Sequence, residues 1–209
     1  MEQHWIALAT TAENEILAWH TNLNILESAC AGDFRAICKV FGVSADEYAK
    51  LKQGKLNYKL QYSSPRDTHF VEDTTRSEEI TIVGQLLQGR VSLTLELHQR
   101  LEHGYKRFEP VVPWQAKAYQ LKEEQARRAL AGDTNDIEFI KDEQAIRKLP
   151  IETICNLIIA KADNDRYQIR KLERIRIKTQ KAIRKLQTRE DVSEIRATLA
   201  EESFLSMLM

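Results

Sequence analysis

Histidines, cysteines and clustered carboxylates are the groups in this chain that could do chemistry, and their spacing decides what each could do. His98 and His103 stand five residues apart, which on a helix turns them to different sides, so they would not share a metal ion. Asp163-Asn164-Asp165 opens like a calcium-binding loop. No glycine follows, however, and the twelfth position is Arg174 where a bidentate Glu would be needed. Cys155 sits in an apolar stretch with no nearby histidine to draw off its proton. Neither GxxxxGK nor GxGxxG occurs, so no glycine-rich loop is in place to cradle a phosphate. These absences predict no catalytic residue, no cofactor and no bound metal, and the chain is not expected to be an enzyme.

The strongest charge feature is a basic run of Arg170, Lys171, Arg174, Arg176, Lys178, Lys181, Arg184, Lys185 and Arg189. It reads as a solvated helix face with partners among Glu190, Asp191 and Glu194, or as a helix that contacts nucleic acid. No aromatic lies between Arg170 and Arg189 to stack on bases. Lys plus Arg and Asp plus Glu are both 31, so the whole chain is neutral. The solvated face is therefore the expectation, and no nucleic-acid partner is expected. No apolar run approaches the roughly 18 residues of a membrane span, so no membrane partner is expected either. The opening MEQHWIALATTAENEILAW is too acidic and polar for a signal peptide. Cys30, Cys38 and Cys155 lack metal-type spacing and read as small buried apolar groups. A soluble protein made in a reducing cytosol is the expectation.

Charged residues at 30%, aromatics at 7%, and only 7 Gly and 4 Pro suit long helices better than a sandwich or barrel. The organising stretch is Ile151 to Gln187, which holds no Gly and no Pro. Cys155, Ile158, Ala162, Ile169, Leu172, Ile175, Thr179, Ile183 and Leu186 recur at steps of three, four and seven, so they form one stripe along a helix. Unbroken, the rod would be roughly 55 Å long at 1.5 Å per residue. A break is expected at Asp163-Asn164-Asp165, where three weak helix formers meet.

Ahead of the rod, Glu2 to Ala29 reads as an amphipathic helix with Trp5, Leu8, Ala12, Ile16, Trp19, Leu23 and Leu26 on one face. Ala31-Gly32-Asp33 supplies a turn. Phe34 to Lys52 reads as helix, short turn, helix, with Gly42 ending the first piece and Ser44 and Glu47 forming a capping box for the second. Phe41-Gly42-Val43-Ser44 resembles the turn of a DNA-binding helix-turn-helix. Ile37, Cys38, Phe41, Gly42, Val43, Tyr48 and Leu51 would fill its packing positions. Asp46 and Glu47 would meet the DNA there and repel it, so a plain helical hairpin is preferred. Leu56, Tyr58, Leu60 and Tyr62 alternate with polar residues as in a strand, and Thr68 to Val71 can supply the second strand of a short hairpin.

Arg76 to Arg107 reads as a helix with Ile80, Val83, Leu87, Val91 and Leu95 buried. Gly84 and Gly89 allow a close crossing or a bend, and Gly104 marks the stop. Phe108-Glu109-Pro110-Val111-Val112-Pro113 is extended by its prolines and joins two units. After it come a helix from Trp114 to Ala131, with Trp114, Ala118, Leu121, Gln125, Ala129 and Leu130 as its buried edge, and a short helix from Ile137 to Leu149. Pro150 opens the rod, and Asp191 to Leu208 forms a returning helix.

The segment from Pro113 to about Ile195 resembles a C-terminal helical module carried by many tailed-bacteriophage tail, tail-fibre and neighbouring virion proteins. The resemblance rests on Trp114-Gln115-Ala116-Lys117-Ala118-Tyr119, on Lys122, Glu124 and Ala126, and on Ile154 to Ala162. It continues through Leu172 to Arg176, Lys181-Ala182-Ile183 and the turn from Leu186 to Ile195. Ala145 to Leu149 lacks the glycine often found before the long helix, and Leu186-Gln187 replaces the usual alanine pair. The resemblance implies a structural or assembly component of the virion without catalytic residues, connecting a fibre or baseplate component to its neighbours. Its partners would be other phage structural proteins, in multiple copies or as a homo-oligomer. A DNA-binding helix-turn-helix regulator and a tail-assembly chaperone absent from the virion are the alternatives.

The expected architecture is mostly α. An N-terminal helical unit, 1–108, has room for a short β-hairpin. An extended joint, 109–113, leads to a C-terminal module, 114–209, built as an antiparallel helical bundle around the long helix. Phe204, Leu205, Met207, Leu208 and Met209 make an apolar tail where a terminus is ordinarily polar, and they are expected to lie in an intermolecular contact.

Overall fold

The computed structural model describes residues 3–30, 37–53, 57–64, 67–109 and 112–201. These form a mostly helical protein with a small antiparallel sheet and a separate hairpin. In chain order the elements are β1 (Gln3–Thr10), β2 (Ile16–His20), α1 (Leu23–Cys30), β3 (Ile37–Ser44), α2 (Ala45–Lys52), β4 (Tyr58–Ser64) and β5 (Asp67–Glu72). The helices α3 (Glu78–Tyr105), α4 (Pro113–Leu130), α5 (Glu138–Arg147), α6 (Ile151–Lys185) and α7 (Arg189–Glu201) follow. The chain divides into two compact units, Met1–Arg100 with Arg176–Met209, and Leu101–Ile175. The joint expected at 109–113 falls within the range of the second unit, and its Pro110 and Val111 lie outside the described residues.

In the first unit the sheet runs β2-β1-β3, all antiparallel, with Ile6 opposite Phe41 and Ala9 opposite both Ala18 and Cys38. Residues 3–29, expected together with Glu2 as one amphipathic helix, are instead a hairpin and a short helix. The physical reason is visible in β1, where Ile6, Ala7, Leu8 and Ala9 are all buried, so each face of the strand needs cover. Ile6 and Leu8 meet Ile16, Phe41, Val43, Leu51, Leu60 and Phe70 on one side. Ala7 and Ala9 meet Ile25, Leu26, Ala29, Leu87 and Val91 on the other. Packing on both sides overrides the helical period. The turn between the strands places Asn14 at φ 64°, a left-handed value that Asn tolerates.

The same override reaches β3. Ile37–Ser44 is a strand, so the helix expected from Phe34 and its helix-turn-helix geometry are absent, and Phe41-Gly42-Val43-Ser44 is sheet rather than turn. Ser44 does cap α2, accepting from the Glu47 N–H at 3.3 Å. Glu47 does not close the box, because its carboxylate takes the Phe70 N–H at 2.8 Å and Lys50 at 2.5 Å. The hairpin β4–β5 forms as expected, with Leu60 opposite Phe70. Its cover is the sheet together with α2, in the cluster that holds Ile6, Leu8 and Leu51. The Ala31-Gly32-Asp33 turn, Leu56 and Pro65-Arg66 lie outside the described residues.

Helix α3 closes the other side of the sheet. A Cβ on Gly84 would come within 3.2 Å of the Leu17 carbonyl oxygen, so glycine permits this approach of helix to strand. The Trp19 N–H donates to Gln88 Oε1 at 3.1 Å, and Arg76 donates to the Ile16 carbonyl at 2.9 Å, so α3 and its entry satisfy groups of β2. Arg90, almost fully buried, donates to the carbonyls of Arg184 and Leu186 at 2.7 and 3.0 Å and so caps the end of α6. Thr188 and Asp191 then exchange hydrogen bonds in a capping box that starts α7, while Asp191 also accepts from the Gln187 N–H. Residues 202–209, and with them Phe204–Met209, lie outside the described residues.

In the second unit, Ala126, Ile137, Ile140, Ile154 and Cys155 form the buried cluster. Pro113 starts α4, and Gln115 reaches back to the Val112 N–H. The buried edge expected of α4 is corrected. Gln125 and Ala126 are buried, whereas Trp114, Leu121 and Leu130 are exposed, because small residues let α4 approach α5 and α6 closely. Gln125 accepts the Phe139 N–H at 3.0 Å and so satisfies an amide at the start of α5. Lys148 ends α5 in a left-handed conformation. Helix α6 runs without the break expected at 163–165, since Asp163 is anchored to Arg166 and Arg127 instead of competing for its own backbone. Gly104 does not stop α3. It lies inside the last turn, where a Cβ would stand 3.0 Å from Leu172 Cδ2.

Candidate interaction surfaces

Several chemistry-bearing groups lie in packed or hydrogen-bonded positions. Cys155 is buried in the second unit's core, and burial pushes its thiol up. Cys30 and Cys38 flank the helix-facing cluster of the first unit, and burial raises both. His4 stacks on Tyr48 with centroids 4.6 Å apart, and His20 bonds to Asn22. Among the described residues no group of three or more His, Cys, Asp or Glu is gathered that could hold a metal. Among the described residues no helix is long and apolar enough to cross a membrane.

The second unit presents the most organised polar surface. Glu123 on α4 accepts both guanidinium nitrogens of Arg166 at 2.7 Å and the Nε of Arg127 at 2.8 Å. Asp163 joins the same two arginines at 2.9 and 2.5 Å. The paired fork of Arg166 holds the Glu123 and Asp163 carboxyls below their usual range, and the two carboxylates raise Arg166 in return. Beside them Glu143 on α5 takes Lys122 of α4 and Arg147 of its own helix, each at 2.5 Å. The Lys122 bond chiefly lowers its pKa. Of these residues Lys122, Glu123, Glu143 and Arg147 line a cleft of about 400 Å³ that also contains Tyr119 and Ile158. Its cations, Arg107, Lys122, Arg147 and Lys161, equal its carboxylates, Glu109, Glu123, Glu143 and Asp165, in number. A cleft so balanced selects neither an anion nor a cation.

Large apolar side chains of the same unit also stand in the open. Trp114 is 70% exposed, Ile146 78%, Tyr167 61% and Leu157 50%. On α6, Ile177 is also exposed, at 58%, while Ile159 is half-buried against the core. Trp114 and Ile146 were not readable. Trp114 stands at helical spacing with the buried Gln125, and only the depth of the α4 contact decides which of the two is covered.

The expected partners of the basic run are otherwise engaged or turned away. Asp191 is taken up by backbone amides, and among the described residues Glu190 and Glu194 form no ion pair with that run. Arg176 donates to Gln180 at 3.0 Å. Compared with known proteins, the chain matches no family model, no curated protein and no solved structure.

Proposed function

We propose that this chain is a non-enzymatic structural or assembly protein of a bacteriophage tail, connecting a fibre or baseplate component to its neighbours. The observation that carries the reading is the exposure of Trp114, Ile146, Leu157 and Tyr167 on the second unit, whose charged residues Glu123, Arg127 and Arg166 are paired with one another. Large aromatic and aliphatic groups left in water suit a surface completed by another protein. The helical segment that resembles the phage module supports the setting, and the antiparallel bundle around α6 is part of this proposal. The apolar tail Phe204–Met209 is a second contact in the same reading, and each side chain buried there would contribute about 1.5–3 kcal/mol.

Mass spectrometry of purified particles from a phage that encodes the chain tests the reading. Recovery at a fixed ratio to baseplate or fibre proteins supports a tail component. Recovery only from the lysate, bound to an unassembled tail protein, makes it an assembly chaperone. Recovery in neither fraction refutes both. Deleting Phe204–Met209 addresses the tail: a smaller solution mass with unchanged thermal stability supports the contact, and an unchanged mass with lost stability refutes it.

A further inference from the structure

The first unit holds two thiols for which the assembly reading has no use. Cys30 is the last residue of α1, and Cys38 stands in β3 opposite Ala9. Both pack against one cluster, in which Ala9, Ala18 and Ala29 are buried. Side chains this small let the end of α1 lie close on the sheet, and the two sulfurs meet there. The Cys30 thiol donates a hydrogen bond to the Cys38 sulfur. Neither residue is fully buried, so a small reagent can reach the pair, whereas Cys155 is enclosed in the core of the second unit. Sulfurs already in contact, on a helix end and a strand held by the same core, need little backbone movement to bond.

We propose that Cys30 and Cys38 form a reversible oxidation site, a dithiol that closes to an intramolecular disulfide when it meets a small-molecule disulfide. The hydrogen bond sets the order of events. Cys38 accepts it, so a thiolate is favoured there, while Cys30, the donor, keeps its proton longer. The Cys38 thiolate attacks one sulfur of the reagent, forming a mixed disulfide and expelling one reagent thiolate. Cys30 then loses its proton and attacks the Cys38 sulfur, the bond to the reagent breaks, and the second reagent thiolate leaves. The chain gives up two electrons, and the two cysteine protons end on the two reagent thiols. A thiol reductant runs the same steps backwards. Burial holds both cysteine thiols up, which slows the first attack. Glu27, exposed one helical turn before Cys30, adds a negative charge beside the pair and so favours a cationic reagent. Seven residues separate the two cysteines, and the closed ring ties α1 to β3. Reducing surroundings keep the dithiol, and oxidising ones close it.

The test treats the folded full chain with cystamine, a cationic disulfide, at about pH 8, where a useful fraction of thiolate is present. Remaining thiols are blocked with iodoacetamide, and the chain is digested with trypsin without reductant. Trypsin cuts after Arg35 and Lys39, so the bond is seen as peptide 1–35 joined to peptide 36–39. Three results are expected: that linked pair, an intact mass lower by two hydrogens, and a melting temperature higher by roughly 5 °C than that of the reduced chain. In Cys30→Ser the reagent should stay on Cys38 as a mixed disulfide. In Cys38→Ser the remaining Cys30 should react at least about tenfold more slowly than Cys38 does in the first variant. The peptide map of the unaltered chain decides the matter even if neither variant folds. A mixed disulfide that persists on Cys38 in the unaltered chain overturns the proposal. So does a linked pair seen only after unfolding in urea, or a bond from Cys30 or Cys38 to a second copy in place of the internal one.

Discussion

The two units bury their side chains by different means. In the first, β1 is covered on both faces: Ile6 and Leu8 reach into one cluster, and Ala7 and Ala9 let helices close over the other. In the second, five residues of α4–α6 and the loop before α5 make up the buried cluster, and charge pairs on Glu123, Glu143 and Asp163 tie the helices together around it. Apolar burial is worth about 25 cal/mol per Å² wherever it occurs, while exposed ion pairs contribute ~0–1 kcal/mol each. The first unit is thus stabilised mostly by its own interior. The second spends several of its largest apolar groups on the surface, which is the arrangement expected of a region finished by a partner.

The contrast is sharpest for a substitution inside the sheet. Leu8→Ala removes a side chain with no exposure from the centre of the hairpin-facing cluster. It should cost about 3 kcal/mol in a urea titration. A loss under ~1 kcal/mol would mean that the sheet is not the stabilising centre. An intermediate effect is expected in acid. The folded pKa of Glu123 is lowered chiefly by the Arg166 hydrogen bonds. Its stabilisation is therefore complete above the unfolded value of about 4.3 and drains away as pH falls through the lower folded one. Glu123→Gln should remove up to ~1 kcal/mol at pH 7, after allowing for solvent screening, and flatten the stability curve below about pH 4. Thermal melts from pH 2 to 7 check both the size and the sign. The smallest effect belongs to the open surface, where Trp114→Gln and Ile146→Gln should each change the stability of the isolated chain by less than about 0.5 kcal/mol. A loss of 2 kcal/mol in either would show that these residues are needed by the chain's own fold.

The helical half of the fold was legible because its signals are local. The α6 stripe and the turn near Thr188 are set by neighbours a few residues away, and the structure shows both, whereas Pro113, expected in the extended joint, opens α4. The sheet was not legible, since Trp5, Leu8, Ala12 and Ile16 satisfy a helical period by coincidence. What makes residues 3–10 a strand is contact with Phe41 and Leu87, far along the chain. The hairpin β4–β5, by contrast, showed its alternation openly at Tyr58, Leu60 and Tyr62. For the surfaces, residue types were readable but not their cover. Gln125 is buried while Trp114 is exposed because Gln125 has an amide of α5 to satisfy, which no pattern on α4 alone records. The continuity of α6 through Asp163 depends likewise on two arginines, one of them on another helix.

Hydroxyl-radical footprinting of Trp114, Ile146 and Tyr167 most directly tests whether the second unit's open surface is completed by a partner. Labelling would be compared between the isolated chain and the same chain in purified phage tails. All three should be labelled readily in the isolated chain, and at least Trp114 and Ile146 should be protected severalfold in the assembled particle. Equal labelling in both states, with the chain present in the particle, would contradict the assignment of this surface to assembly.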